Sequence, residues 1–197
     1  MTFLFVVGCS TWFGAAASDT ASDESGAGEE TGDSTSELAA DDERVRALTN
    51  LWEGEYPCLG PMLVRVAYVT DGDTLYVHPD DGSAGRKVRL IGIDTPEIAH
   101  EDPAECFGAE AMAFTSEELL GRLAWLTFDS DCIDPYDRTL AYLIRDDGEA
   151  GFFNGVLARQ GYAVPLTIEP NVTYASEIES DVAEAQKEPV GMWEACP

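Results

Sequence analysis

Arg89-Leu90-Ile91-Gly92-Ile93-Asp94-Thr95-Pro96-Glu97, with Asp71-Gly72-Asp73-Thr74 before it, is the stretch on which the fold of this chain turns. Upstream, Met62–Val69 alternates large apolar residues with others and is rich in valine, a strand pattern. Thr70-Asp71-Gly72-Asp73 is turn chemistry, and Asp-Gly is a strong hairpin cue. Thr74–His78 then reads as a second strand, Pro79–Gly85 as a polar turn, and Lys87–Ile93 as a third strand ended by Pro96. Downstream, Gly108–Leu120 carries helical spacing through Ala109, Met112, Ala113, Thr115 and Leu119. Leu123–Phe128 and Thr139–Arg145 are further strands, and Phe152–Gln160 is a short helix closed by Gly161. Tyr174–Lys187 is a last helix with Ile178, Val182 and Ala185 on one face. This order predicts an α+β domain, a five-stranded OB-fold-type β-barrel with three helices. Such barrels often bind oligonucleotides, but a fold alone assigns no function.

The same stretch carries the chemistry. A hairpin brings Asp73, just past its turn, toward Asp94 at the end of the third strand. Two carboxylates, a backbone carbonyl and water make a site for Ca²⁺ or Mg²⁺. Glu97 lies three residues on, placed to hold a nucleophilic water. Arg89 supplies a permanently charged fork of N–H donors for a phosphodiester. Arg89 and Asp94 are five residues apart, so a regular strand would point them to opposite faces. A bulge or bend, for which Gly92 is the candidate, is needed to bring both to one phosphate. Metal-assisted hydrolysis of a phosphodiester is therefore the leading expectation. Other residues have blander readings: Asp71 as a turn-former, Arg138 as a salt-bridge partner of Asp134 or Asp137, His78 and His100 as exposed and idle. Trp125 and Trp193 read as core.

The charge balance argues the other way. Eleven Lys and Arg face 38 Asp and Glu, a net charge of −27 over 197 residues. Residues 59–197 alone carry 9 basic and 26 acidic side chains. An acidic surface repels nucleic acid and slows encounter with it, and it also keeps a protein soluble in a salty medium. Residues 1–9 are expected to be part of a lipoprotein-type signal, because Val6-Val7-Gly8-Cys9 resembles a bacterial lipobox in which Cys9 is lipidated. The apolar run before it is too short to span a bilayer. Residues 10–58 are expected to be an acidic low-complexity linker, with a disordered spacer over 10–43 and a short helix around Asp42–Trp52. The ordered domain is then 59–197. An exported chain, lipid-anchored in the cell envelope or secreted, favours disulfides among Cys58, Cys106, Cys132 and Cys196, with three connectivities open. The expected pairs are Cys106–Cys132, tying two loops beside the site, and Cys58–Cys196, tying the ends of the domain.

Further segments extend the pattern: Cys106-Phe107-Gly108-Ala109-Glu110-Ala111, Asp137-Arg138-Thr139-Leu140-Ala141-Tyr142, Arg159-Gln160-Gly161, Glu184-Ala185-Gln186 and the closing Trp193. Taken in order with the two stretches above, they resemble the staphylococcal nuclease (thermonuclease) family from about Val64 to Trp193. The resemblance implies a Ca²⁺-dependent nuclease of DNA and RNA that leaves 3′-phosphate products. It implies Asp73, Asp94 and the Thr95 carbonyl as Ca²⁺ ligands, Glu97 as general base or water-orienting residue, and Arg89 and Arg138 as the phosphate clamp. Tyr136 matches a position that contacts nucleotide phosphate. The chain departs from the family at Pro135, often basic there, and at Asp137, usually glycine. Leu166 and Ile168 stand where the family can place tyrosines near the base. These changes leave the chemistry and bear on affinity and base preference. The expected protein is a monomer acting on DNA or RNA; the competing reading is a non-catalytic OB-type module that binds nucleic acid or protein. Loss of carboxylates or arginines would favour that reading, and this chain keeps them.

Overall fold

The computed structural model describes residues 34–99 and 103–197. Cys9 and His100 lie outside them. Five strands close a barrel in the order β1 (Met62–Val69), β2 (Thr74–Pro79), β3 (Arg86–Leu90), β6 (Thr139–Ile144) and β5 (Leu123–Thr127). Neighbours are antiparallel except β3 and β6, which run parallel. Alternation fixes the register: Val64, Val66, Leu75, Val77, Val88, Leu90 and Leu126 all point inward and are buried.

The expected third strand breaks in two. Gly92 adopts φ +83°, a left-handed conformation that favours glycine, and the chain turns from β3 into β4 (Gly92–Asp94). A Cβ at Gly92 would stand 2.5 Å from Ile178 Cδ1, so a side chain there would also require Ile178 to shift. Strand β4 pairs with β7 (Val164–Leu166), which periodicity did not reveal because it is three residues long and contains Pro165. Asn154 pins this corner from α3 (Phe153–Arg159): its Nδ2 donates to the Ile91 carbonyl at 2.9 Å and its Oδ1 accepts the Leu143 N–H at 3.0 Å. The other expected helices are α2 (Gly108–Leu119) and α4 (Ala175–Lys187), and a one-turn α5 (Met192–Ala195) follows.

Two expectations are corrected. The first is the linker. Residues 34–58 are not all spacer: Ser34–Arg46 forms helix α1, and this segment lies against the barrel. Val45 and Leu48 are buried, and Trp125 Nε1 donates to the Val45 carbonyl at 2.9 Å. Trp52 stacks on Phe152 with ring centroids 4.8 Å apart. The acids that made the segment look like a solvated linker have partners, since Asp41 meets Arg145 and Asp42 meets Arg65. Removing residues 34–57 should therefore cost about 4 kcal/mol or more, counting two buried aliphatic side chains and an aromatic stack. Urea denaturation of the full chain against 58–197, which keeps the Cys58–Cys132 bond, checks this; equal midpoints would show the segment to be incidental.

The second correction is the disulfides. The bonds are Cys58–Cys132 and Cys106–Cys196, with Cα separations of 5.8 and 6.0 Å. The segment before β1 runs beside the strand exit at Phe128 and Asp129: Gly54 N–H donates to the Phe128 carbonyl and Cys58 N–H to the Asp129 carbonyl. That places Cys58 at Cys132, whereas the C-terminal turn brings Cys196 to the start of α2.

Candidate active site

The Asp71–Asp73 turn is held from three sides. Thr70 N–H donates to the Thr74 carbonyl at 2.8 Å, and Asp71 Oδ1 accepts the Asp73 N–H at 3.2 Å, so Asp71 is the turn-former. Thr115 Oγ1 of α2 donates to the Gly72 carbonyl at 2.7 Å. A Cβ at Gly72 would collide with the Thr95 side chain at 2.7–2.8 Å, so only glycine lets the two segments meet. Asp73 Oδ2 accepts the Thr95 N–H at 2.9 Å and Leu90 N–H donates to the Asp73 carbonyl at 2.9 Å. The hairpin turn and the end of β4 are thus locked together through Asp73.

Arg89 completes the lock. Its Nη1 lies 2.7 Å from Asp73 Oδ2 and donates to the Leu90 carbonyl, and its Nη2 donates to Asp94 Oδ1 at 2.7 Å. The bend at Gly92 is what allows two residues five apart to meet. Asp73 is buried, whereas the Asp94 side chain is 47% exposed. Burial pushes the Asp73 carboxyl up to about 7; Arg89 pulls it down and Asp71 adds to the rise. Glu97 is exposed, and its carboxyl also lies above the usual range through partial burial and the charges of Asp71 and Asp94.

The opposite wall is the loop between β5 and β6. Asp134 Oδ1 accepts the N–H groups of Tyr136 and Arg138 at 2.9 and 2.8 Å, and Arg138 Nε donates to Asp134 Oδ2 at 2.6 Å. Burial pushes the Asp134 carboxyl up, but these donors win and hold it below the ordinary carboxylate value. Asp137 takes φ +63°, which explains why this position suits glycine. The Arg138 guanidinium sits 5.4 Å from the centroid of the Tyr136 ring, which is 80% exposed. Asn171 fastens the loop base: its Oδ1 accepts the Asp131 N–H at 2.8 Å and its Nδ2 donates to the Asp131 carbonyl at 3.0 Å. Sequence reading gave Asn171 no such part, because Asn171-Val172-Thr173 shows only a sequon pattern. Thr115 was likewise hidden within an apolar helical face.

Arg89, Asp94, Glu97, Tyr136 and Arg138 line one cleft of about 510 Å³. Leu166 and Ile168 add an apolar side, and Asp73 sits behind Arg89. Among the described residues no three acidic, His or Cys side chains form a complete metal cage. The donor chemistry nevertheless fits a hard cation. Every candidate atom is oxygen, and Asp73, Asp94 and Glu97 share the Arg89 guanidinium while Asp71 adds a fourth negative charge beside them. Asp73 and Asp94, with the Thr95 carbonyl and water, are the groups that would hold it.

Residues 87–195 match the family described as staphylococcal nuclease homologue, a span that includes Arg89, Asp94, Glu97 and Arg138 and begins after Asp73. The thermonuclease of Staphylococcus intermedius is 38% identical over 130 residues, 66% of this chain and 74% of that protein. The thermonuclease of Staphylococcus hyicus is 35% identical over the same shares. A probable endonuclease, LCL3, of Saccharomyces cerevisiae is 44% identical over 55 residues, 27% of this chain and 19% of that protein. With the closed five-stranded barrel and the matched span in hand, the chain belongs to the staphylococcal nuclease family.

Proposed function

We propose that this protein is a Ca²⁺-dependent nuclease that hydrolyses phosphodiesters of DNA, RNA or both with relaxed specificity and leaves 3′-phosphate products. The observation that carries the reading is Arg89 bridging Asp73 and Asp94 on one side of a cleft, with Arg138 and Glu97 lining the same cleft. Arg89 and Arg138 receive the phosphate and stabilise the charge that builds on its oxygens in the transition state. Glu97 orients the attacking water and takes its proton as the new P–O bond forms. The bond to the 5′-oxygen breaks, and that oxygen leaves as a hydroxyl, taking its proton from solvent water in the open cleft. A bound Ca²⁺ would supply Lewis-acid charge beside the phosphate. Tyr136, exposed beside Arg138, contacts the neighbouring nucleotide.

The full chain should degrade single-stranded DNA with Ca²⁺ and lose that activity in EDTA, read as acid-soluble nucleotide; undiminished cleavage in EDTA would remove the metal from the reading. We infer also that the protein is exported, anchored through Cys9 or secreted, and acts as a monomer. Its four described cysteines are all in disulfides, which suits an oxidising compartment.

A further inference from the structure

The outer face of β1, β2 and β3 continues directly from the cleft. Thr74 pairs with Arg89 and Tyr76 with Lys87, so Tyr76 and Lys87 lie on the same face as Arg89, two residues further along their strands. That is about 7 Å from the phosphate clamp. Across from Tyr76 stands Tyr68, and its outward position is built by a bulge: the register slips between Val66 and Tyr68. Val66 points into the barrel, and without the slip Tyr68 would share its side. Instead Tyr68 is 52% exposed and stacks on Tyr76, with centroids 5.0 Å apart and ring planes within 2°. His78 meets Tyr76 edge-on at 5.5 Å. Gly85 backs the Tyr76 ring so closely that a Cβ there would stand 2.7 Å from its Cε1 and hydroxyl.

Charge adds to the same place. Of eleven basic side chains, Arg44, Arg46, Arg65, Arg89, Arg138, Arg145 and Arg159 are in ion pairs; of the other four, Arg86, Lys87, Arg122 and Lys187, it is Lys87 that pairs across the strands with Tyr76. Lys87 is exposed and pairs with no carboxylate among the described residues. Acids at the far end of the face are engaged, Asp80 by Arg46 and Asp42 by Arg65. A free cation beside a stacked aromatic pair, one short step from the clamp, is what a single strand needs on leaving the cleft.

We propose that Tyr68, Tyr76 and Lys87 form a docking track for the single-stranded nucleic acid that flanks the scissile phosphate, a base stacking on Tyr68 and a phosphate meeting Lys87. The proposal rests on the nuclease reading and deepens it. Stacking tolerates any base and is not electrostatic in origin, so it gives an acidic protein a hold on a polyanion that net charge denies it. A tyrosine pair serving the sheet alone would add stability across the strands and nothing more.

The test uses the full chain, an oligothymidylate of about twelve nucleotides, within the site sizes known for single-strand binders, and a thymidine dinucleotide. Tyr68→Ala, Tyr68→Phe and Lys87→Ala are compared with the unaltered protein in Ca²⁺. Tyr68→Ala should raise KM for the long strand by about tenfold, the usual scale for one lost base stack, and leave the dinucleotide KM and both kcat values unchanged. Tyr68→Phe should restore binding, and Lys87→Ala should weaken the long strand and flatten its salt dependence. Equal KM values on both substrates, or equal losses on both, would overturn the track. Anisotropy of the labelled strand on Glu97→Gln protein, with and without Tyr68→Ala, decides the track even if the unaltered chain cleaves nothing, a result that would defeat the nuclease reading alone.

Discussion

Replacing Arg89 by alanine is expected to lower turnover by about 10²- to 10³-fold, the scale seen when one donor to a developing anionic oxygen is removed. Two tasks are proposed for Arg89. Toward the cleft, which it lines, its N–H groups would meet a phosphate; toward the protein it holds Asp73 and Asp94 at 2.7 Å each. Alanine ends both, and leaving the buried Asp73 without its partner should also cost about 3–5 kcal/mol of stability. The two effects separate with Arg89→Lys, which keeps a charge beside Asp73 but loses the planar fork. That variant should unfold nearer the unaltered midpoint while turnover stays low. Arg138→Ala should lose activity on a similar scale with less stability lost, because its partner Asp134 keeps two backbone N–H donors. Stopped-flow cleavage of single-stranded DNA reads turnover, and urea titration reads stability. An Arg89→Ala protein with near-normal turnover would remove Arg89 from the reaction.

The sequence made much of this site legible for a local reason. Asp73, Arg89, Asp94 and Glu97 lie within one hairpin and its exit, so turn chemistry and strand period were enough to bring them together. Even the obstacle was visible: the parity of Arg89 and Asp94 demanded a bend, and Gly92 was the residue able to make it. What stayed hidden is long-range. The Cys58–Cys132 and Cys106–Cys196 bonds join positions 74 and 90 residues apart, and nothing in local spacing prefers them to the other pairings. Most of helix α1 was read as acidic spacer, with a short helix expected only around Asp42–Trp52, because its partners, Arg65 and Arg145, are supplied by distant strands. The bulge that turns Tyr68 outward is likewise a property of pairing, not of the strand that contains it.

Those long-range bonds carry the second large prediction. Each disulfide ends beside one of the two loops that bear the proposed catalytic groups. Glu97 is gripped through its backbone: its N–H donates to Glu105 Oε2 at 3.1 Å, and its carbonyl accepts the Glu105 N–H at 2.9 Å. Gly108 presses on the same carbonyl so tightly that a Cβ would stand 2.4 Å from it. Cys106, between those two contacts, is bonded to Cys196, whose N–H donates to Met192, and Met192 N–H donates to the Gly161 carbonyl. The Glu97 loop is thereby moored to the C-terminal turn. Without the bond the Glu105 grip rests on the first turn of α2 alone. Cys106→Ser with Cys196→Ser should cost about 2–5 kcal/mol of stability, as loss of a native disulfide does. It should also lower kcat by about ten- to a hundredfold where both proteins remain folded, because small misplacements of a catalytic group are that expensive. KM should change little, since both arginines keep their anchors. Cys58→Ser with Cys132→Ser acts on the other loop, next to Asp131 and Asp134, and should raise KM by loosening Arg138. Thiol treatment of the unaltered chain should reproduce both losses together. If kcat at matched folded fraction is unchanged in the Cys106 and Cys196 double variant, the bond serves global stability and Glu97 is held by α2 without it.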